Sequence, residues 1–329
     1  MYKDTLSLEK IISPIKEDLS LYKSEFKNAL KSDVTLINLI SRFLIRNKGK
    51  KIRPSLTLLC ARLCGDLSTN TYRSAAMMEL MHVATLIHDD IVDDATLRRG
   101  RPALHRIWKN KLSVLMGDYL FSKALINMVK IRNFDALDLI SETAEELSAG
   151  EILQIEKSFT RRMNSDVYFK MIDKKTASLI STSCELGAIT TTSSHEDRKS
   201  TSEYGTALGM AFQIKDDLFD LLGSTEDTGK DSGTDVKTNM VTLPVLLAYE
   251  NMKKKEIKSL KNKLKNKNKS KTDIKEIKNI IESNNGFDNA KLKLEEFSNK
   301  AISSIQRYPE SIYKKSLIDL VHFNSSRVK

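Results

Sequence analysis

Two stretches of the chain bring carboxylates to a spacing that could do chemistry. The first is His88-Asp89-Asp90-Ile91-Val92-Asp93-Asp94, followed closely by Arg98-Arg99-Gly100-Arg101-Pro102. On a helix Asp89, Asp90 and Asp93 stand at i, i+1 and i+4, and about 100° per residue puts all three within one arc. Like charges that close repel and cost stability unless a cation neutralises them. Hard oxygen donors in such a cluster suit Mg²⁺, which keeps several waters and commonly bridges carboxylates to a substrate's phosphates. Adjacent arginines add planar forks for phosphate oxygens. Together these residues describe a diphosphate site.

The second stretch, Gln213-Ile214-Lys215-Asp216-Asp217-Leu218-Phe219-Asp220, repeats the spacing. One such cluster is as consistent with a solvated acidic face as with a ligand set. A solvated face, however, has no need of Leu86 and Ile87 before the first cluster, or of Met210, Phe212 and Ile214 before the second. Two clusters facing each other across a cavity would hold several Mg²⁺ ions, or Mn²⁺ in their place, on one diphosphate.

Gly49-Lys50-Lys51-Ile52-Arg53-Pro54, both Asp-rich motifs, Arg98-Arg99-Gly100 and Lys175-Thr176 occur in one order and spacing. By these motifs the chain from about Gly49 to Pro244 resembles the trans-isoprenyl diphosphate synthases of the polyprenyl synthetase family. The pattern is nearest to bacterial medium- and long-chain, octaprenyl-type members. The resemblance implies an all-α isoprenoid synthase fold, an antiparallel helix bundle around a large central cavity, one domain over 1–329, and a homodimer. It implies Mg²⁺-dependent, head-to-tail condensation of an allylic diphosphate with isopentenyl diphosphate. Lys50, Arg53, His82 and Arg99 would hold isopentenyl diphosphate, and Arg98, Lys175, Thr176, Gln213 and Lys230 the allylic diphosphate. Asp89, Asp90, Asp93, Asp216, Asp217 and Asp220 would carry the metal; the first five, with Lys175, are the expected catalytic set.

The elements that must position these groups read as helices. The 329-residue chain has 12 Gly and 5 Pro, few for its length, and is rich in Leu, Ile, Lys, Glu and Ala. Amphipathic periodicity predicts helices over 8–29 and 34–46, a long helix over 72–94 leading to the first cluster, and others over 112–130, 137–157, 172–179 and 203–223. Lys50, Arg53 and Pro54 open a helix whose N-terminal dipole favours an anion. His82 lies two turns before Asp89 on the same face; His88 reads as structural, and His105 has no assigned role. Glu151 and Gln154 share a face and would support the site from behind. Residues 224–239 read as a polar, lid-like loop.

Composition excludes several classes. No apolar leader and no run of 18 uninterrupted apolar residues occurs, so neither a secretory signal nor a membrane-spanning helix is expected, and a cytoplasmic location is. Cys60 and Cys64, at i and i+4, could ligate a metal but read as core thiols, since no partner pair follows. The net charge of +11 is concentrated in 252–272, where ten lysines face one acid, Glu256. A basic patch for RNA or an anionic membrane is one reading; the favoured one is a solvated helix pair, without aromatic side chains for base stacking. Peripheral membrane contact for product release remains a partner expectation, and nucleic acid does not.

One position departs from the family. Its second loop lysine falls at Met240, which cannot bind phosphate, so Lys237 substitutes or the allylic site is weaker. Arg327 and Lys329 would close over the site or fray. For product length, Thr85, Met81 and Met78 lie one, two and three turns below Asp89. Ala84 and Thr85 are small where short-chain members carry an aromatic, and Phe121 is the bulky candidate for a floor. A product of about C30 to C45 for a quinone side chain is expected, since deeper methionines adapt to a long chain. The alternatives are a geranylgeranyl or farnesyl diphosphate synthase and a silent subunit of a heteromeric synthase. A terpene cyclase or head-to-head synthase would need neither Lys50 and Arg53 nor a second intact acidic motif.

Overall fold

The computed structural model describes residues 7–46, 49–98, 100–160, 162–222, 241–266 and 269–326. Arg99, Lys230, Lys237, Met240, Arg327 and Lys329 lie outside them. Within them the chain is nearly all helix. The single helix expected over 8–29 is corrected: Pro14 cannot donate to a helical ladder, and the segment divides into α1 (Leu8–Ile11), a 3₁₀ turn (Ser13–Ile15) and α2 (Lys16–Ala29). There follow α3 (Thr35–Arg46), α4 (Ile52–Cys64) and α5 (Thr69–Val92). The start of α5 precedes the expected one because Ser68 and Thr71 form a reciprocal capping box.

A two-stranded antiparallel ribbon then turns the chain, β1 (Leu97–Arg98) against β2 (Arg101–Pro102), with Leu97 opposite Pro102. Gly100 takes φ +74° in its turn, where a side chain would be strained. Next come α6 (Leu104–Ile131), α7 (Phe134–Thr160), α8 (Ser165–Ile172), a π-helical turn (Asp173–Ala177), α9 (Ser178–Ile189) and α10 (His195–Leu222). The rest is α11 (Leu243–Glu250), α12 (Lys254–Lys265), α13 (Lys271–Ser283), α14 (Gly286–Ser304) and α15 (Ile312–Ser326).

The long helices pack in pairs: α5 along α6, α4 against α9, and α10 between α9 and α14. One apolar cluster joins α5 and α6 and contains Met77, Met78, Met81, Met116 and Met128. A second joins α4, α9, α10 and α15 around Tyr204, and a third joins α8, α10, α11, α13 and α14. The two ends of the chain meet where Ser316 Oγ donates to the Ile11 carbonyl at 2.8 Å. Cys60 and Cys184 are fully buried, and Cys64 Sγ lies 3.6 Å from the Tyr308 hydroxyl, so all three thiols serve as packing groups. Among the described helices α6 alone is long and apolar enough to cross a bilayer; one side of it packs along α5 and the other is exposed.

Candidate active site

The first acidic cluster ends α5. Burial pushes the Asp89 carboxyl up to about 6 against the pull of Lys175, with Glu151 and Asp93 adding to the rise. Burial raises Asp93 as well. Asp90, one step of about 100° from Asp89, stands at the edge of the expected arc. It is 4% exposed, and its Oδ1 accepts hydrogen bonds from Arg98 Nε at 2.7 Å and from Arg98 Nη2. With Tyr22, Phe43, Lys51 and Glu79 this pair lines a cavity of about 140 Å³ on the α2–α3 side of α5. Asp90, expected as a third cation-facing carboxylate, here holds Arg98 through Oδ1. The β1–β2 ribbon brings the guanidinium there.

The second cluster repeats this division. Asp217 is 4% exposed, and it accepts from the Tyr168 hydroxyl at 2.6 Å, from Gln213 Nε2 at 3.0 Å and from the Leu243 backbone N–H. Burial outweighs these donors and pushes its carboxyl up to about 6. Asp216 and Asp220 remain partly exposed. Thr176 Oγ1 donates to Gln213 Oε1 at 2.9 Å, so both ends of the Gln213 amide are used inside the protein. Gln213 thus braces Asp217, where the sequence reading aimed it at the allylic diphosphate.

Lys175 and Thr176 stand between the clusters on the π turn. Lys175 Nζ pairs with Glu151 and donates to Gln154 Oε1 at 3.1 Å, the support expected of those two residues. The turn is gripped from both sides at glycines. A Cβ at Gly150 would lie 2.9 Å from the Lys175 nitrogen, and one at Gly209 would lie 2.5 Å from Ala177 Cα. Such turns concentrate at functional sites.

On the basic side, Arg53 Nη1 and His82 Nε2 are 2.9 Å apart, tying the first turn of α4 to α5. Lys50 Nζ stands 5.9 Å from the Phe323 ring centre of α15. His88 is seated over Gly117 on α6, its Nε2 3.3 Å from Asp118 Oδ1, while His105 is buried with its Nε2 3.8 Å from Asp94. The proposed length determinants sit where α5 meets α6. Met78, Met81 and Ala84 are buried there, Phe121 packs against the same cluster, and Thr85 Oγ1 donates to the His82 carbonyl at 2.9 Å.

Among the described residues no three His, Cys, Asp or Glu side chains form a ready-made metal cage. The donor set still fits a hard divalent cation. Asp89 on α5, Asp93 at its C-cap and Asp216 on α10 offer carboxylate oxygens, and the raised Asp89 and Asp93 carboxyls are crowded acids that a cation would relieve.

A model of the family described as polyprenyl synthetase matches residues 34–281. The chain belongs to that family. The synthase is 32% identical over 330 residues to heptaprenyl diphosphate synthase component 2 of Bacillus subtilis (strain 168), covering 99% of this chain and 93% of that one. It is 30% identical over 324 residues to the octaprenyl diphosphate synthase of Escherichia coli (strain K12), covering 98% and 99%. The crystal structure of polyprenyl synthase from Caulobacter crescentus CB15, complexed with calcium and isoprenyl diphosphate, matches with a TM-score of 0.90. There the identity is 30%, and 99% of this chain and 100% of that one are covered. The expected all-α isoprenoid synthase fold and the trans-isoprenyl diphosphate synthase class both hold. Tyr168 and the π turn were missed by sequence reasoning. Tyr168 lies in an ordinary amphipathic stretch, and the turn is dictated by glycines on two other helices.

Proposed function

We propose that the synthase, in the cytoplasm and with several Mg²⁺ ions or Mn²⁺ in their place, extends an allylic diphosphate with isopentenyl diphosphate to a long polyprenyl diphosphate for a quinone side chain. The observation that carries this reading is the π turn's reach to both acidic helices. Lys175 acts on Asp89 and Asp93, while Thr176 bonds to Gln213 one turn before Asp217.

Lys50, Arg53, His82 and Arg99 grip isopentenyl diphosphate beside the first turn of α4, whose free N–H groups favour an anion. Arg98, held by Asp90, and Lys175, held by Glu151 and Gln154, meet the allylic diphosphate, with Lys230 as a further ligand. Asp89, Asp93, Asp216 and Asp220 would hold the Mg²⁺, which would supply positive charge to offset that on the departing diphosphate. The allylic C–O bond breaks and its electron pair leaves on the diphosphate oxygen. The double bond of isopentenyl diphosphate forms the new C–C bond to the allylic carbon, and the lost proton passes to a diphosphate oxygen. Apolar helices keep water from the cation.

The growing tail runs down α5 past Thr85, Met81 and Met78, one to three turns below Asp89, which supports a product of about C30 to C45. Incubation with labelled isopentenyl diphosphate and farnesyl diphosphate, products resolved by length, tests this. Ala84→Phe or Thr85→Phe should shorten the product, and a wild-type chain that stops at C20 contradicts the proposed length. The exposed ridge of Val114, Leu115, Ile126 and Val129 on α6, continued by Phe134 and Ile152 on α7, fits a second copy of the chain. Light scattering should read a dimer. A monomer, inactive alone and active with another protein, would replace the homodimer with a heteromer.

A further inference from the structure

Nothing in the condensation chemistry uses the ten lysines of 252–272. Most of this segment is α12, and its faces differ. Leu260 and Leu264 are buried in the cluster shared with α11 and α13. Lys263 pairs with Glu276 of α13 at 2.6 Å, which marks the side turned toward that helix. Glu256 is spent on the helix's own start, accepting from the Lys253 backbone nitrogen at 2.8 Å.

The remaining side carries a single kind of charge. Lys254, Lys258, Lys261 and Lys265 recur at i, i+4, i+7 and i+11, so at about 100° per residue they fall within an arc of roughly 60°. All four are exposed. No acid of α12 shares that arc, since the same geometry puts Glu256 on the opposite side. Like charges at i and i+4 destabilise a helix, so the row costs stability in free solution. An anionic plane laid along the helix would reverse that cost. The α12–α13 hairpin also stands near the catalytic end of α10, for Lys278 of α13 lies within the field of Asp220.

We propose that the Lys254–Lys258–Lys261–Lys265 row docks the synthase on an anionic lipid bilayer. The docking itself rests on charge and geometry alone; only its purpose, delivery of an amphiphilic product to the bilayer, rests on the reading above. RNA fits the row less well. Base stacking needs open aromatic faces, and Tyr249, the ring beside the row, is packed against the core with the Lys261 ammonium 5.4 Å from its centre.

The test is vesicle flotation of the purified full chain. Vesicles of phosphatidylcholine with phosphatidylglycerol are compared with phosphatidylcholine alone, at about 0.1 M and about 1 M salt, where the Debye length falls from about 10 to about 3 Å. Binding should require the anionic lipid and be lost at high salt. Changing Lys254, Lys258, Lys261 and Lys265 together to Gln should weaken it at least a hundredfold, since each lysine near an anionic surface contributes about fivefold. A control with the same charge loss elsewhere (Lys130, Lys199, Lys291 and Lys315 to Gln) should float like the wild type. Neither variant should change condensation in detergent solution, so a chain that floats but does not condense spares the docking surface and removes the assigned chemistry. Equal flotation on neutral vesicles, equal loss in both variants, or row-dependent binding of a single-stranded RNA oligomer without flotation overturns the proposal.

Discussion

The two acidic motifs share a spacing but are tethered differently. In each, the middle aspartate turns inward to the same 4% exposure, Asp90 on α5 and Asp217 on α10. Asp90 is held by a cation, the Arg98 guanidinium. Asp217 is held by neutral donors, the Tyr168 hydroxyl, the Gln213 amide and the Leu243 N–H. The first tether fixes the Arg98 guanidinium beside the cluster and leaves Asp89 and Asp93 outward. The second braces helices, joining α8, the π turn and α10 beneath Asp216. A repeated motif thus yields an arginine anchor in one copy and a packing clamp in the other.

The largest effect should separate outward from inward carboxylates. Asp89→Ala or Asp216→Ala should cost about 10³-fold or more in turnover, roughly 4 kcal/mol of barrier, and raise the Mg²⁺ needed for half-maximal rate. Asp217→Asn should leave that Mg²⁺ requirement near wild type; an equal rise would put Asp217 among the metal ligands. Next, Asp90→Asn should free Arg98 and raise the allylic KM about tenfold, the scale of one charge-assisted hydrogen bond. An unchanged allylic KM would show that Arg98 does not depend on its anchor. Tyr168→Phe should cost about 1–2 kcal/mol of stability through the lost donor to a buried carboxylate, read as a lower Tm with little change in allylic KM.

The smallest effect is in pH. The folded Asp217 carboxyl is raised to about 6 from an ordinary 3.8, so the folded state holds its proton more tightly than the unfolded one. Its stabilisation is full below about pH 4 and fades as the pH rises through 6. Metal-free protein should therefore lose Tm across that window, and Asp217→Asn should flatten the loss. A variant with the wild-type slope would assign the titration to other groups.

Most of the motif positions and helices were legible because each depends on one local period. The acidic spacing, the apolar stripe of α5 and the basic start of α4 each lie within a few turns. The division inside each Asp-Asp pair was not read, though the 100° step contains it, because which side faces the cavity depends on neighbouring helices. The π turn at Lys175 needs Gly150 and Gly209, far apart in sequence, and Tyr168 gains its meaning only where α8 crosses α10. The break at Pro14 was readable in principle but was overridden by the surrounding apolar periodicity.

Transfer of label from isopentenyl diphosphate onto farnesyl diphosphate is the decisive measurement of metal-dependent C5 extension by this chain. Across a Mg²⁺ titration that starts from chelated protein, incorporation should be absent at first, appear with added Mg²⁺, and yield products longer than C20. Incorporation that survives chelation, or none at any Mg²⁺ concentration, would contradict the account.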